Sequence, residues 1–139
     1  MVNVLLASEK DEFASMGKQM GKWIDQVLGP GFQHYGHADG WRPAINICEY
    51  EAFYCVIVDL AGVKAQEIDL RAEKGAMILT GQRAMPAPSD AEGGVRVCLM
   101  EIDHGRFRRV IELPDEVDVE AIEAFYRNGY LWVRLPKTS

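Results

Sequence analysis

The N-terminal region and the rest of the chain carry two different patterns of apolar residues. Between Phe13 and Leu28 apolar side chains recur every three or four positions, which predicts a short amphipathic helix. Its apolar face consists of Phe13, Met16, Met20, Trp23, Ile24, Val27 and Leu28. Gly29, Pro30 and Gly31 end this helix, and the following stretch repeats at neither structural period. We therefore interpret residues 1–40 as an amphipathic arm and linker.

After Trp41 the chain consists of short runs rich in β-branched and aromatic residues, separated by turn residues. This pattern predicts an all-β domain over residues 41–137, folded as an antiparallel sandwich of eight strands. Asn128-Gly129 is the strongest turn signal, because a type I′ turn needs positive φ at both positions, although the sequence leaves open whether the flanking strands pair. The predicted strands are Ala44–Glu49, Phe53–Leu60, Ile68–Glu73, Met77–Gln82, Val95–Ile102, Phe107–Leu113, Ala121–Tyr126 and Tyr130–Leu135.

The charge and hydropathy of the chain limit its expected ligands and its expected location. The 21 acidic residues exceed the 15 basic ones, which gives a net charge of -6 and argues against nucleic acid or anionic lipid as the principal ligand. No window approaches the roughly 18–20 consecutive apolar residues of a membrane-spanning helix. The N-terminus also lacks the basic region of a secretory signal. These features predict a soluble cytoplasmic protein without a membrane span.

The residues that carry common active-site chemistry do not form a recognisable motif. His34 and His37 are three apart, but Gly31 and Gly36 argue against a helix that would align them as metal ligands. The sequence contains no nucleophile elbow and no glycine-rich phosphate-binding loop. We therefore expect no enzymatic activity, no metal and no cofactor.

The cysteines follow no metal-binding or redox spacing. Cys48, Cys55 and Cys98 contain no C-x-x-C pair, and Cys48 and Cys55 lie in predicted strands where a small apolar residue packs well. Core packing is the predicted role of these two residues. No disulfide is predicted.

Four motifs in order give the segment from Trp41 to Lys137 a family likeness. They are Trp41-Arg-Pro-Ala-Ile-Asn-Ile followed by Glu49, Asp59-Leu-Ala-Gly-Val, Gly105-x-Phe-x-Arg-x-Ile-x-Leu-Pro, and Ala124-x-x-x-Asn-Gly-x-Leu. Together they resemble the alpha-crystallin domain of the bacterial small heat-shock proteins. Asn46 and Ala61 depart from the usual Asp and Pro of the first two motifs.

The resemblance implies a fold, an activity and a mode of dimerisation. The fold is an immunoglobulin-like β-sandwich, and the activity is ATP-independent holding of unfolding client proteins. In the implied homodimer, Val95–Ile102 crosses to the partner's edge Ala44–Cys48, and Ala84–Gly94 is the arm that reaches across. The interface would include Ala44, Ile45, Ile47, Val95, Val97, Leu99 and the charged pair Glu101 and Arg109.

Two further surfaces follow from the resemblance. Clients would bind the deformable apolar face of the arm, through Phe13, Met16, Met20, Trp23, Ile24 and Val27. A groove for peptide tails would be lined by Ile68, Leu70, Ile122 and Ala124, for which sandwich core is an equal alternative. Residues 138–139 carry no I-x-I motif, so we expect a dimer rather than a large assembly joined by tails. A different class with the same sandwich is a CS-domain-like adaptor, which docks one folded partner.

Overall fold

A computed structural model describes residues 2–6 and 40–139 of the chain as a sandwich of two antiparallel sheets. Its strands are β1 Val2–Asn3, β2 Ile45–Glu49, β3 Phe53–Asp59, β4 Ile68–Glu73, β5 Ala76–Arg83, β6 Gly105–Glu112, β7 Glu123–Arg127 and β8 Tyr130–Pro136. The first sheet has the order β1-β4-β5-β6 and the second β2-β3-β8-β7. Short 3-10 helices occupy Ala65–Glu67 and Val119–Ala121. The predicted all-β sandwich is confirmed, whereas the predicted helix Phe13–Leu28 lies outside the described residues.

Strand alternation fills the space between the sheets. In β3 the buried side chains Tyr54, Val56 and Val58 alternate with outward-facing ones. Their partners across the pairing with β8 are Leu135, Val133 and Leu131, which are also buried. The first sheet contributes Ile68, Leu70, Ala72, Met77, Leu79, Phe107 and Ile111 to the same core. The side chain of Tyr54 also donates a hydrogen bond to Glu116, which raises the pKa of Tyr54 to about 12.

Two elements differ from the sequence prediction. Val95–Ile102 forms no strand in the single chain but lies in the long connection between β5 and β6, so that strand prediction is wrong for one chain. Its composition suits a strand, but a strand also needs a neighbouring edge that can accept its hydrogen bonds. The sequence pattern places residues 2–6 in the arm, yet Val2–Asn3 pairs with β4, and Val4 and Leu6 enter the core.

The turn between β7 and β8 explains part of the last motif. Asn128 and Gly129 have φ angles of 55° and 80°, as a type I′ turn requires, and β7 and β8 pair directly. The pairing that the sequence left open is therefore a hairpin. A Cβ at Gly129 would lie 3.1 Å from the Cα of Ala61, so this glycine also allows the close approach of the turn after β3.

Trp41 anchors the entry of the chain into the second sheet. Its indole N–H donates to the carbonyl of Gly105 at 3.0 Å, and its ring lies 5.3 Å from that of Phe107. The backbone of Trp41 forms a parallel bridge with Phe107 on β6, shortly before β2 begins in the other sheet. The first and third motifs thus meet at one edge of the sandwich.

Gly81 leaves the space that the ring of Phe107 occupies, so we predict that Gly81→Ala destabilises the domain. An added Cβ would lie 2.4 Å from Cζ of Phe107 and 2.4 Å from the carbonyl oxygen of Glu67, and the latter belongs to the backbone. Overpacking of this kind costs about 1–3 kcal/mol. Urea unfolding should show this loss of free energy.

Gly94→Ala is the matched control, because nothing lies within 4 Å of an added Cβ there. It should leave the unfolding free energy unchanged. Equal stability of the two variants would contradict the steric explanation.

Candidate interaction surfaces

Residues 2–6 close the gap between β4 of the first sheet and β7 of the second. The amide of Val4 donates to the carbonyl of Leu70 at 2.8 Å, and Leu6 forms a parallel bridge with Ala124. Val4 and Leu6 are buried, whereas Leu5 between them is 61% exposed. The segment is therefore an extended peptide that places alternate side chains between the sheets.

The four predicted groove residues lie on the two elements that this segment joins. Ile68 and Leu70 on β4 and Ala124 on β7 are almost fully buried, and Ile122, just before β7, is half-buried against the core. Their role in binding a peptide from elsewhere stays a prediction. Sequence reasoning missed residues 2–6, although the spacing of Val4 and Leu6 two positions apart is the signal of an extended segment with one apolar side.

The predicted dimer surfaces are exposed in the single chain. β2 pairs with β3 on one side, and no other strand of the described residues lies along its second side. Ile47 on this edge is 52% exposed, Ala44 is exposed and Ile45 is half-buried. In the long connection, Val95 and Leu99 are 77% and 79% exposed, and Val97 is also exposed. An open edge and an apolar segment without a strand partner thus occur in the same domain.

Arg83 holds the two ends of this connection together. It is the last residue of β5, and its Nε donates to the carbonyl of Asp103 at 2.9 Å, just before β6. Its Nη1 donates to the carbonyl of Ala61 at 3.0 Å, and its guanidinium lies 4.0 Å from the centre of the Trp41 ring. The base of the connection is fixed, while its apolar side chains lie beyond that base around a shallow hollow lined by Met85, Pro86 and residues 95–102.

Glu101 and Arg109 do not form an ion pair within the described residues. Nη1 of Arg109 donates to the carbonyl of Pro43 at 2.9 Å, whereas its Nε is buried without a hydrogen-bond partner in the described part of the chain. Burial lowers the pKa of this guanidinium, and the nearby Arg42 lowers it further. Glu101 is exposed. Arg109 therefore retains a donor directed away from water.

The predicted core role of two cysteines is wrong. Cys48 is exposed and Cys55 is half-buried, because the side chains of β3 that face the core are Tyr54, Val56 and Val58. Cys48 and Cys55 lie directly opposite each other in the pairing of β2 with β3. Cys98 is exposed in the long connection.

Several of the predicted site residues lie outside the part of the chain that the structure describes. The client-binding residues Phe13, Met16, Met20, Trp23, Ile24 and Val27 lie outside the described residues, as do His34 and His37. Within residues 2–6 and 40–139, no three His, Cys, Asp or Glu side chains are arranged to hold a metal ion. In the same part of the chain, no helix has the length and hydropathy needed to cross a bilayer.

Sequence comparison identifies a family for most of the described domain. The profile of the Hsp20/alpha crystallin family matches residues 46–139. The 18.8 kDa class II heat shock protein of Ipomoea nil is 35% identical over 92 residues, which cover 66% of this chain and 55% of that protein. The chain thus spans about half the length of curated relatives of this kind.

Solved structures show the same similarity. The hspA of Xanthomonas axonopodis is 32% identical, with a TM-score of 0.60 over 70% of this chain and 94% of that one. A small heat-shock protein of Xylella fastidiosa, described as having a distinct high order structure, is 29% identical, with a TM-score of 0.61 over 71% of this chain and 88% of that one. Because similar proteins come from plants as well as bacteria, the expected restriction to bacterial members is not confirmed.

The neighbouring leucines Leu5 and Leu6 test whether residues 2–6 stabilise the sandwich. Leu6 is 1% exposed, so Leu6→Ala should lower the free energy of unfolding by about 2–4 kcal/mol. Leu5→Ala is the control at an exposed position and should change it by less than about 0.5 kcal/mol. Chemical denaturation of the full chain measures both. If the two variants were equally stable, the segment would not be part of the folded core in solution.

Proposed function

Because the chain belongs to the Hsp20/alpha crystallin family, a family of small heat shock chaperones rather than enzymes, we propose that it is an ATP-independent holdase. In this role it binds partly unfolded proteins through apolar surface and limits their aggregation. The observation that carries the proposal is the match of residues 46–139 to this family. The sequence of the arm supplies the apolar side chains that clients would contact.

The proposal includes a homodimer formed by strand exchange. Val95–Ile102 of one chain would add to the open side of β2 in a second copy, with Ala84–Gly94 as the connection. Three features support this arrangement: the segment forms no strand within its own chain, one side of β2 has no strand partner among the described residues, and both carry exposed apolar residues. An added strand would satisfy the backbone groups of both partners and cover an edge that is otherwise open to aggregation.

Glu101 and Arg109 fit the same dimer. The buried Nε of Arg109 has no partner in the described residues, and burying an unpaired donor is costly. A carboxylate from the exchanged segment of a second chain, Glu101, would supply the acceptor. A charge-assisted hydrogen bond of this kind also fixes the orientation of the two chains.

Clients and tails are assigned to two other surfaces. We assign client binding to the arm, where Phe13, Met16 and Trp23 provide deformable apolar area at helical spacing. We assign the groove of Ile68, Leu70, Ile122 and Ala124 to extended peptides with apolar residues two apart. The burial of Val4 and Leu6 against β4 and β7 supports this assignment, because their segment has that pattern.

A cytoplasmic location is part of the proposal. All three cysteines are free thiols, and reduced cysteines are typical of cytosolic proteins.

The holdase proposal is tested by the aggregation of a heat-labile client protein without ATP. The full chain should suppress light scattering, and replacing Met16, Trp23 and Ile24 by serine should remove most of this effect. Deleting residues 1–38 is less suitable, because it also removes Val4 and Leu6 from the core. Lys18→Gln with Lys22→Gln changes the opposite face of the predicted helix and serves as the matched control.

Two outcomes would contradict this proposal in different ways. A full chain that never suppresses aggregation would favour the adaptor class, whose members dock one folded partner. A serine variant that protects as well as the full chain would move client binding from the arm to another surface.

Strand exchange is tested with proline at two adjacent positions, Val97 and Cys98. Successive amides of a strand point to opposite sides, so one of the two substitutions must remove a donor to the partner strand whatever the register. For at least one variant, the dissociation constant of the dimer should rise about tenfold or more. This corresponds to a loss of about 1.4 kcal/mol in the free energy of dimerisation. Analytical ultracentrifugation measures the dissociation constant.

Glu92→Pro is the control for this experiment, because it lies in the same connection but outside the exchanged segment. It should leave the dimer unchanged. If both test variants dimerised as tightly as the full chain, another surface would have to hold the subunits together.

A further inference from the structure

Two thiols face each other on the outer side of the second sheet. Cys48 on β2 is directly opposite Cys55 on β3, and opposed residues of a ladder project from the same face. Tyr54 and Val56, on either side of Cys55, are buried in the core, so the thiols project away from it. Cys48 is exposed and Cys55 half-buried, which leaves the pair accessible to small reagents.

The hydrogen bonds of the ladder define the spacing of this pair. The amide of Tyr50, two residues after Cys48, donates to the carbonyl of Phe53 at 2.8 Å. Because hydrogen-bonded and non-hydrogen-bonded pairs alternate along an antiparallel ladder, Cys48 and Cys55 also form a hydrogen-bonded pair. Such residues have Cα atoms about 5.5 Å apart, inside the range of about 4.4–6.8 Å that a disulfide accepts.

A disulfide at this position would be strained. Opposed Cβ atoms in a hydrogen-bonded pair lie near the upper end of about 4.5–5.5 Å, whereas a disulfide brings them to about 3.5–4.5 Å. Formation of the bond therefore requires β2 to shift toward β3 by roughly 1 Å. Strained and exposed disulfides are the easily reduced ones, which suits a reversible modification rather than a structural bond.

A cation lies beside the pair. Arg134 on β8 is opposite Cys55 on its other side, and its guanidinium lies 3.7 Å from the centre of the Phe53 ring. Burial raises the pKa of the Cys55 thiol and Cys48 raises it further, while Arg134 lowers it. Arg134 offsets this shift only in part, so the pKa of Cys55 stays above its ordinary value, and the more exposed Cys48 is the thiol that reacts first.

We propose that Cys48 and Cys55 form a dithiol that hydrogen peroxide converts reversibly to a disulfide within one chain. The more exposed Cys48 thiolate attacks one peroxide oxygen, the O–O bond breaks, and the leaving oxygen takes up protons as water. The Cys55 thiolate then attacks the sulfur of the resulting Cys48 sulfenic acid, so that the S–S bond forms and the S–O bond breaks, releasing a second water. In total the two thiols lose two electrons and two protons, and the peroxide is reduced to two waters.

This modification goes beyond the proposed chaperone role and does not depend on it, because both thiols belong to the same chain. The exposed Cys98 is a separate source of thiol chemistry, since it can link one chain to another. The two reactions are distinguished by removing Cys98.

The test uses the full chain carrying Cys98→Ser, treated with hydrogen peroxide and analysed by intact mass and peptide mapping. We expect each chain to lose two hydrogen atoms and both free thiols, with Cys48 and Cys55 recovered in one linked peptide pair. Dithiothreitol should restore the original mass and both thiols. Circular dichroism before and after oxidation should show that the sandwich stays folded.

Two matched variants complete the test, in which Cys98→Ser is combined with Cys48→Ser or with Cys55→Ser. Neither should lose hydrogen, and each should instead gain oxygen at its single thiol. The proposal is overturned if the Cys98→Ser chain gains oxygen at Cys48 and Cys55 separately, links different chains through them, or does not react under conditions that oxidise Cys98 in the unmodified protein.

Discussion

Unpaired backbone groups at the edges of the two sheets are the constraint on which the rest of this structure depends. A buried N–H or C=O without a partner costs about 1–3 kcal/mol, so every edge must be paired, covered or left to solvent. Residues 2–6 cover β4, and the backbone of Trp41 bridges to β6. The outer side of β2 has no such cover in the described residues. Within the described residues, the two surfaces proposed for partners, the outer side of β2 and the groove beside β4, both lie at sheet edges.

The sequence predicts the parts of the fold that depend on local chemistry. Asn128-Gly129 identifies a turn because few residue pairs tolerate positive φ at both positions, and the structure has that turn. Most strands begin and end within about two residues of their predicted limits, since turn residues separate them. For β3, however, the sequence does not predict which side of the strand faces the core. Residues 53–58 are all apolar, so alternation cannot indicate which side faces the core, and the prediction that Cys55 packs in the core is wrong.

Of the candidate interaction surfaces, the sequence predicts only the features that depend on a residue's position within its own strand. Alternation along β4 predicts that Ile68 and Leu70 face the core, as they do. It does not predict which segment lies beside them. The spacing of Val4 and Leu6 indicates an extended segment, but only the pairing of residues 2–6 shows that this segment lies beside β4. Val95–Ile102 shows the opposite case, because its composition favours a strand and yet it pairs with no strand edge within residues 2–6 and 40–139 of its own chain. The sequence indicates the strand propensity of a segment, whereas the pairing of strands depends on the geometry between segments that are distant in the chain.

The hydrogen bonds of Arg83 have a consequence for how this domain tolerates change in length. Because its guanidinium joins Ala61 and Asp103, the two ends of the connection are held at a fixed separation by the sandwich itself. Loop-closure entropy grows only with the logarithm of loop length, so each doubling costs only about 0.6 kcal/mol. Residues inserted between Met85 and Ile102 would therefore alter the reach of this segment while the two sheets keep their register. The length of this segment can therefore change at little cost to the stability of the sandwich.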